Sequence, residues 1–242
     1  VAARMPPRMS RALSTWRRPR SSVAKMRLLP LLSLLALAAC GRPLSDGESA
    51  FLRDFQGPAA HIGTVRFHEG LANGGPRTIP ARPRLTCGSR LYPPPSGPTI
   101  RVATQATAIF GDVHIRRDIY LDDFLPEYPD RVYLPDAMLV AHEALHVWQW
   151  EERARTGYHP LRAAFEHLGA RDPYQFDDGG DVGFLDFAYE QQGSIMEEYV
   201  CCRALAPDAD RTARLHRLIG AVFDLPPLGQ PLADQITVPW DG

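Results

Sequence analysis

Residues 142–150 read "HEALHVWQW", and this stretch constrains the chain more than any other. Four residues of α-helix advance about 400°, so His142 and His146 stand roughly 40° apart on one face, one turn above the other. Both imidazoles then reach one point, where a zinc ion at about 2.0–2.1 Å satisfies them together. Glu143 projects to the neighbouring side, close enough to take a proton from water at such an ion but not placed as a ligand. Two histidines leave a catalytic ion one protein ligand short. The rest of the chain has to supply it.

The flanking residues agree with a helix. Asp136, after Pro135, suits an N-cap; residues 137–155 contain neither Pro nor Gly; Gly157 is a natural stop. Met138, Ala141, Leu145 and Trp148 recur at three- and four-residue steps and mark the core-facing stripe. Trp148 and Trp150 read as packing residues. Upstream, "TIRVATQATAIF" and "VHIRRDIYL" alternate apolar residues with a period of two, and Gly111-Asp112 between them reads as a hairpin turn. Downstream, helices are expected over about 161–168, 184–205 and 211–223. In the second of these, Ile195, Met196, Tyr199 and Cys202 form the buried side. The periodicities imply an α+β fold class, and "HEALHVWQW" resembles the active-site helix of zincins, so the expectation is zincin-like: a small antiparallel sheet ahead of that helix, then a helical C-terminal half.

Residues 99–242 are expected to form that domain. Residues 40–98, rich in Gly and Pro ("LANGGPRTIPARPR", "YPPPSGP"), read as a tether and irregular segment, with one short helical stretch, "GESAFLRDF". Residues 1–39 read as a signal peptide with an over-extended N-terminus. The run from Leu28 to Ala39 is too short for a stable membrane span and ends in Leu-Ala-Ala-Cys, which resembles the lipobox of bacterial lipoproteins. That resemblance implies cleavage before Cys40, lipid on Cys40, and a place at the bacterial cell envelope, facing the periplasm.

Removing the leader changes the charge. Of 27 basic and 28 acidic residues, eight basic ones and no acid lie before residue 40, which leaves 19 against 28. Such an acidic body argues against nucleic acid as a partner; membrane attachment would come from the lipid. In an oxidising compartment Cys87 is expected to pair with Cys201 or Cys202, with the third thiol unpaired; three buried free thiols are the competing arrangement.

For the third ligand, "YEQQGSIMEEYV" stands out, because Glu190, Ser194 and Glu197 share one helical face. The metzincin alternative is excluded, since Gln149 and Glu152 stand where its glycine and third histidine belong. Together, "HEALHVWQW" and "FLDFAYEQQGSIMEEY" resemble zinc metallopeptidase domains of gluzincin type found beside contractile-injection and polymorphic-toxin proteins. The likeness covers about residues 130–205. It implies a peptidase acting on a peptide or protein substrate, with Zn²⁺ held by His142, His146 and Glu190 (Glu197 as the alternative) and Glu143 as the catalytic base. Where gluzincins often carry Ala and Asp after the ligand glutamate, this chain has Gly193 and Ser194. Glu197 then becomes the candidate to hydrogen-bond a ligand histidine. Tyr189, Tyr158 and His159 are available as transition-state donors, and the sequence does not choose among them. The loop Asp177–Asp181 reads as an exposed acidic turn. The alternative function is a non-catalytic envelope protein for binding or assembly with a structural or vestigial metal site. The missing aspartate favours it, and the presence of Glu143 argues against it.

Overall fold

The computed structural model describes residues 41–71, 75–168 and 172–240. The expected leader, residues 1–39, and Cys40, the expected lipidation site, lie outside the described residues. At the centre of the fold is a helix that is apolar on nearly every side. Ala137, Ala141, Ala144, Leu145 and Val147 have no exposed surface, and even His142, Glu143, His146 and Gln149 are buried. A helix that is hydrophobic all round belongs in an interior, and the alanines let its neighbours approach closely.

In chain order the elements before it are β1 (Arg42–Pro43), α1 (Asp46–Gln56), β2 (Arg66–Glu69), β3 (Arg77–Pro80), α2 (Cys87–Arg90), β4 (Thr99–Val102), β5 (Ala106–Ile109), β6 (Asp112–Ile115) and β7 (Arg131–Tyr133). The central helix is α3 (Leu134–Glu151). After it come α4 (Arg153–Thr156), α5 (Pro160–Glu166), α6 (Tyr189–Leu205), α7 (Asp210–Gly220) and β8 (Gln235–Thr237). The architecture is α+β, with small sheets first and a helical C-terminal half.

β5 and β6 form the expected hairpin, with Ala106 opposite Ile115 and Ile109 opposite Asp112. The turn sits one residue earlier than expected, at Phe110, whose φ is 60°, and Gly111. A Cβ on Gly111 would stand 2.8 Å from the Thr64 carbonyl oxygen, so the close approach of that loop requires glycine. Ala106, Ala108, Val113 and Ile115 face inward, and β5 packs on α3. The strand expected from residue 99 to residue 110 is broken: β4 leaves to pair with β3 in a separate two-stranded sheet.

Three further expectations are corrected. Asp136 does not cap α3. The N-cap is Tyr133, because β7 runs straight into the helix and Pro135 pre-sets the first turn. The helix expected to reach Arg155 breaks at Glu152 and resumes as α4, which Gly157 ends in a left-handed conformation at φ 67°. The largest correction concerns residues 41–98, which are no tether. The side chains of Phe51, Leu52 and Phe55 on α1 are buried in the core, and β2 pairs in parallel with β6 inside the four-stranded sheet β1-β2-β6-β5. Ser45 and Glu48 close a capping box on α1. The same Glu48 carboxylate is fully buried, takes Arg42 in a two-pronged ion pair at 2.8 and 2.7 Å, and accepts from the Phe124 amide at 2.9 Å. The short helical stretch expected in "GESAFLRDF" is α1, whereas Gly and Pro density marked the loops of this segment and hid its buried strand.

Two fastenings hold the helical half. Cys87 on α2 is bonded to Cys201 on α6, and Cys202 remains a free, buried thiol. The second is β8, which returns to pair in parallel with β7. Among the described residues no helix is long and apolar enough to cross a membrane.

Candidate metal centre

α3 and α6 lie against each other along most of their length, and the site is built where they meet. His142 and His146 face each other with 3.1 Å between their Nε2 atoms. From α6, Glu190 Oε2 stands 3.5 Å from His142 Nε2 and 3.6 Å from His146 Nε2. The approach depends on Gly193, one turn further along α6, because a Cβ there would fall 2.6 Å from His142 Cε1.

The surroundings fix which atoms point inward. The Gln149 amide donates to Gln192 Oε1 at 3.0 Å and to the Tyr189 carbonyl at 3.3 Å. Its own oxygen is thereby left to accept from His146 Nδ1 at 2.8 Å. That bond puts the proton of His146 on Nδ1 and the lone pair on Nε2, the arrangement a ligand imidazole needs. On His142 the Nδ1 side faces Glu197 Oε1 at 3.4 Å, an ionic approach without a hydrogen bond. Glu190 is oriented from both ends. Its Oε1 accepts from His167 Nε2 at 3.0 Å, and its backbone N–H donates to Glu166 Oε2, also at 3.0 Å. Glu166 Oε1 takes the preceding Tyr189 N–H at 3.0 Å. One carboxylate thus satisfies two of the orphan amides that open α6.

Electrostatics follow from this crowding. Burial opposes the charge of Glu190, but His146, His142 and His167 outweigh it and hold the carboxyl well below the usual range. Burial likewise opposes the His142 and His146 cations, and the facing carboxylates raise both imidazoles above their ordinary value: Glu197 and Glu190 for His142, Glu190 for His146. Glu143 is pushed up by burial, and its Oε2 has no hydrogen-bond partner among the described residues.

Do these residues suit a metal ion? Two imidazole nitrogens and one carboxylate oxygen, all buried, converge within 4.8 Å of one another. Lone pairs gathered this closely repel unless a proton or a cation lies among them. Two nitrogens and one oxygen form a donor set that zinc accepts, with room for a fourth, non-protein position. The set fits.

Beside it opens a cleft of about 510 Å³, lined by His142, Glu143, Tyr174, Glu197 and the segment 101–106. Tyr174 is a residue that sequence reasoning missed. Its ring centroid lies 6.2 Å from that of His142, and burial together with Glu190 and Glu143 raises its hydroxyl above the ordinary value. The expected donors are placed differently. The Tyr189 hydroxyl is used on the Gly157 carbonyl at 2.8 Å, and His159 Nδ1 accepts from Leu161 N as the cap of α5. Tyr158 stacks on His146 at 6.1 Å and is raised by burial in the same way. His167, Glu166 and Gln149 were also missed. Gln149 alone left a signal, three residues after His146 on the same helical face. Asp177–Asp181 remains outside the site: Asp177 closes its own turn on Gly179 N, and Asp178 pairs with Arg211 and Arg214.

No protein-family model matches this chain, and no curated protein matches it. Among solved structures, the effector domain of Pseudomonas aeruginosa VgrG2b is similar to it at 21% identity and a TM-score of 0.46, over 84% of this chain and 99% of that one.

Proposed function

We propose that the protein is a zinc-dependent peptidase, held at the bacterial envelope by lipid on Cys40 and facing the periplasm. One observation carries the reading: Glu143, a buried carboxylate with an unpartnered oxygen, follows His142 in the chain and lines with it the cleft beside the converging His142, His146 and Glu190. A purely structural zinc site closes all four positions with protein ligands and needs no base.

His142 Nε2, His146 Nε2 and the Glu190 carboxylate would hold the ion. When bound, zinc supplies Lewis acidity toward water and the carbonyl of the bond to be cut. Glu143 accepts the proton of the attacking water on Oε2 and passes it to the departing amine nitrogen, and burial raises its carboxyl above the usual range. Tyr174, kept protonated by burial, donates its hydroxyl proton in a hydrogen bond to the carbonyl oxygen as negative charge gathers there. Gln149, Glu197, His167 and Glu166 hold the ligands in register.

The test is zinc content by elemental mass spectrometry on the full chain, run beside hydrolysis of an unstructured protein such as casein. Glu190→Gln should lose the metal. Glu143→Gln should keep one zinc per chain and lose hydrolysis. Absence of zinc from a folded, zinc-supplied preparation would overturn the reading.

A further inference from the structure

The cleft has a charge the rest of the body does not share. From residue 40 onward the chain carries 19 basic residues against 28 acidic ones. Yet Arg77, Arg82, Arg101 and Arg116 all line the wall beside His142 and Glu143. An arginine-lined recess on an acidic molecule focuses a positive potential where a ligand would enter.

The four arginines are not equally engaged. Arg82 pairs with Asp172 and lies over the Tyr174 ring, 5.1 Å from its centroid. Arg116 pairs with Asp118. Arg77 on β3 and Arg101 on β4 are exposed and form no ion pair among the described residues. In the β3–β4 ladder Arg77 stands opposite Val102 and Arg101 opposite Thr78, so the two side chains leave opposite faces of the ribbon and each meets the cleft separately. Further along, the groove continues into a second cavity of about 810 Å³, which shares Arg82, Tyr174 and Glu197 with the first. Of its five acids, Asp172 is paired with Arg82, Asp178 with Arg211 and Arg214, and Glu198 with Arg211 at 3.0 Å, while Glu197 faces His142 at 3.4 Å and Asp177 is exposed. At the β3–β4 end, the cations without an ion-pair partner among the described residues are the guanidinium groups of Arg77 and Arg101.

From these observations we infer that the cleft selects acidic peptides, with Arg77 and Arg101 receiving carboxylate side chains a few residues from the bond beside Glu143. The inference rests on the peptidase reading and names its substrate class. Guanidinium groups suit this task because their planar fork meets a carboxylate in two parallel hydrogen bonds.

The test reads binding apart from turnover. Fluorescein-labelled peptides of alternating Glu and Ala, or of alternating Gln and Ala, are titrated onto the zinc-loaded full chain carrying Glu143→Gln. The Glu peptide should bind about tenfold more tightly than the Gln peptide, and added salt should narrow the gap. Adding Arg77→Gln and Arg101→Gln together should close it, and these surface changes leave the core untouched. Equal binding of the two peptides, or a gap that survives the double substitution, overturns the inference. Cleavage of the same peptides by the unsubstituted protein separates the two ideas. Arginine-dependent binding without cleavage would defeat the peptidase reading alone. Cleavage of both peptides at equal rates, with equal binding, would defeat the acidic preference alone.

Discussion

Gly193 faces the imidazole of His142 so closely that a Cβ on it would lie 2.6 Å from Cε1 and 2.7 Å from Nε2. In an exposed helix, Gly→Ala gains about 1 kcal/mol. Here the added methyl meets a buried ring on a neighbouring helix, so either the ring turns or α6 backs away. Gly193→Ala should therefore cost about 1–3 kcal/mol of stability and weaken zinc binding about tenfold or more, since it moves a ligand. Thermal unfolding with and without zinc checks both parts. Unchanged zinc affinity would mean that His142 is not held as the geometry requires.

Zinc affinity should depend on pH, with a sign the site determines. His142 and His146 are raised above their ordinary value, so each holds a proton to higher pH than a free imidazole. An imidazole nitrogen must lose its proton to take a metal. As pH falls through the raised values, protons displace the ion and affinity drops; as pH rises it is restored. Glu190, held well below the usual range, stays ionised throughout and adds no slope. Competition with a chromogenic chelator between about pH 6 and pH 8 should show affinity rising with pH and protons released on binding. A flat profile would contradict the assignment of the two histidines.

Legibility in the sequence followed the range of the signal. His142, Glu143 and His146 sit within one turn and a half, and helix geometry alone makes them neighbours. The β5–β6 hairpin was legible for the same reason. Glu190 lies 44 residues beyond His146 in the chain, and only likeness to a known pattern singled it out. His167, Glu166 and Tyr174 reach the site from α5 and the irregular chain after it, where no periodicity exists to read. The helix in "GESAFLRDF" was legible, but the rest of residues 41–98 was misread because Pro and Gly outweighed a short buried strand. Their burial comes from tertiary pairing with β6 and from the Arg42–Glu48 ion pair, neither of which leaves a local mark.

The Cys87–Cys201 bond closes a loop of 114 residues and ties α2 to α6, the helix that carries Glu190. Cross-links across loops of this length contribute about 2–5 kcal/mol. The double substitution Cys87→Ala with Cys201→Ala should lower the unfolding midpoint by about 4–20 °C for a chain of this size. Cys202 should behave differently. Burial first, and Glu198 second, push its thiol up to about 12, so almost no thiolate exists at neutral pH. Iodoacetamide should leave Cys202 unmodified in the folded protein and label it on unfolding, as read by peptide mass spectrometry.

Tyr174 offers the sharpest separation of chemistry from binding. Its hydroxyl belongs to a residue lining the same cleft as Glu143, while its ring packs against His142 and His167. Tyr174→Phe keeps the ring against His142 and the Arg82 guanidinium and removes only the proton donor. If the hydroxyl stabilises the developing oxyanion, kcat should fall by about 10²–10³, the range for losing one such donor. KM should change little and zinc content should not change. Tyr158→Phe, on the far side beside His146, should have a smaller effect, since Tyr158 does not line that cleft. A loss of zinc in Tyr174→Phe would assign the tyrosine to the ligand scaffold instead, and an unchanged kcat would remove it from the reaction altogether.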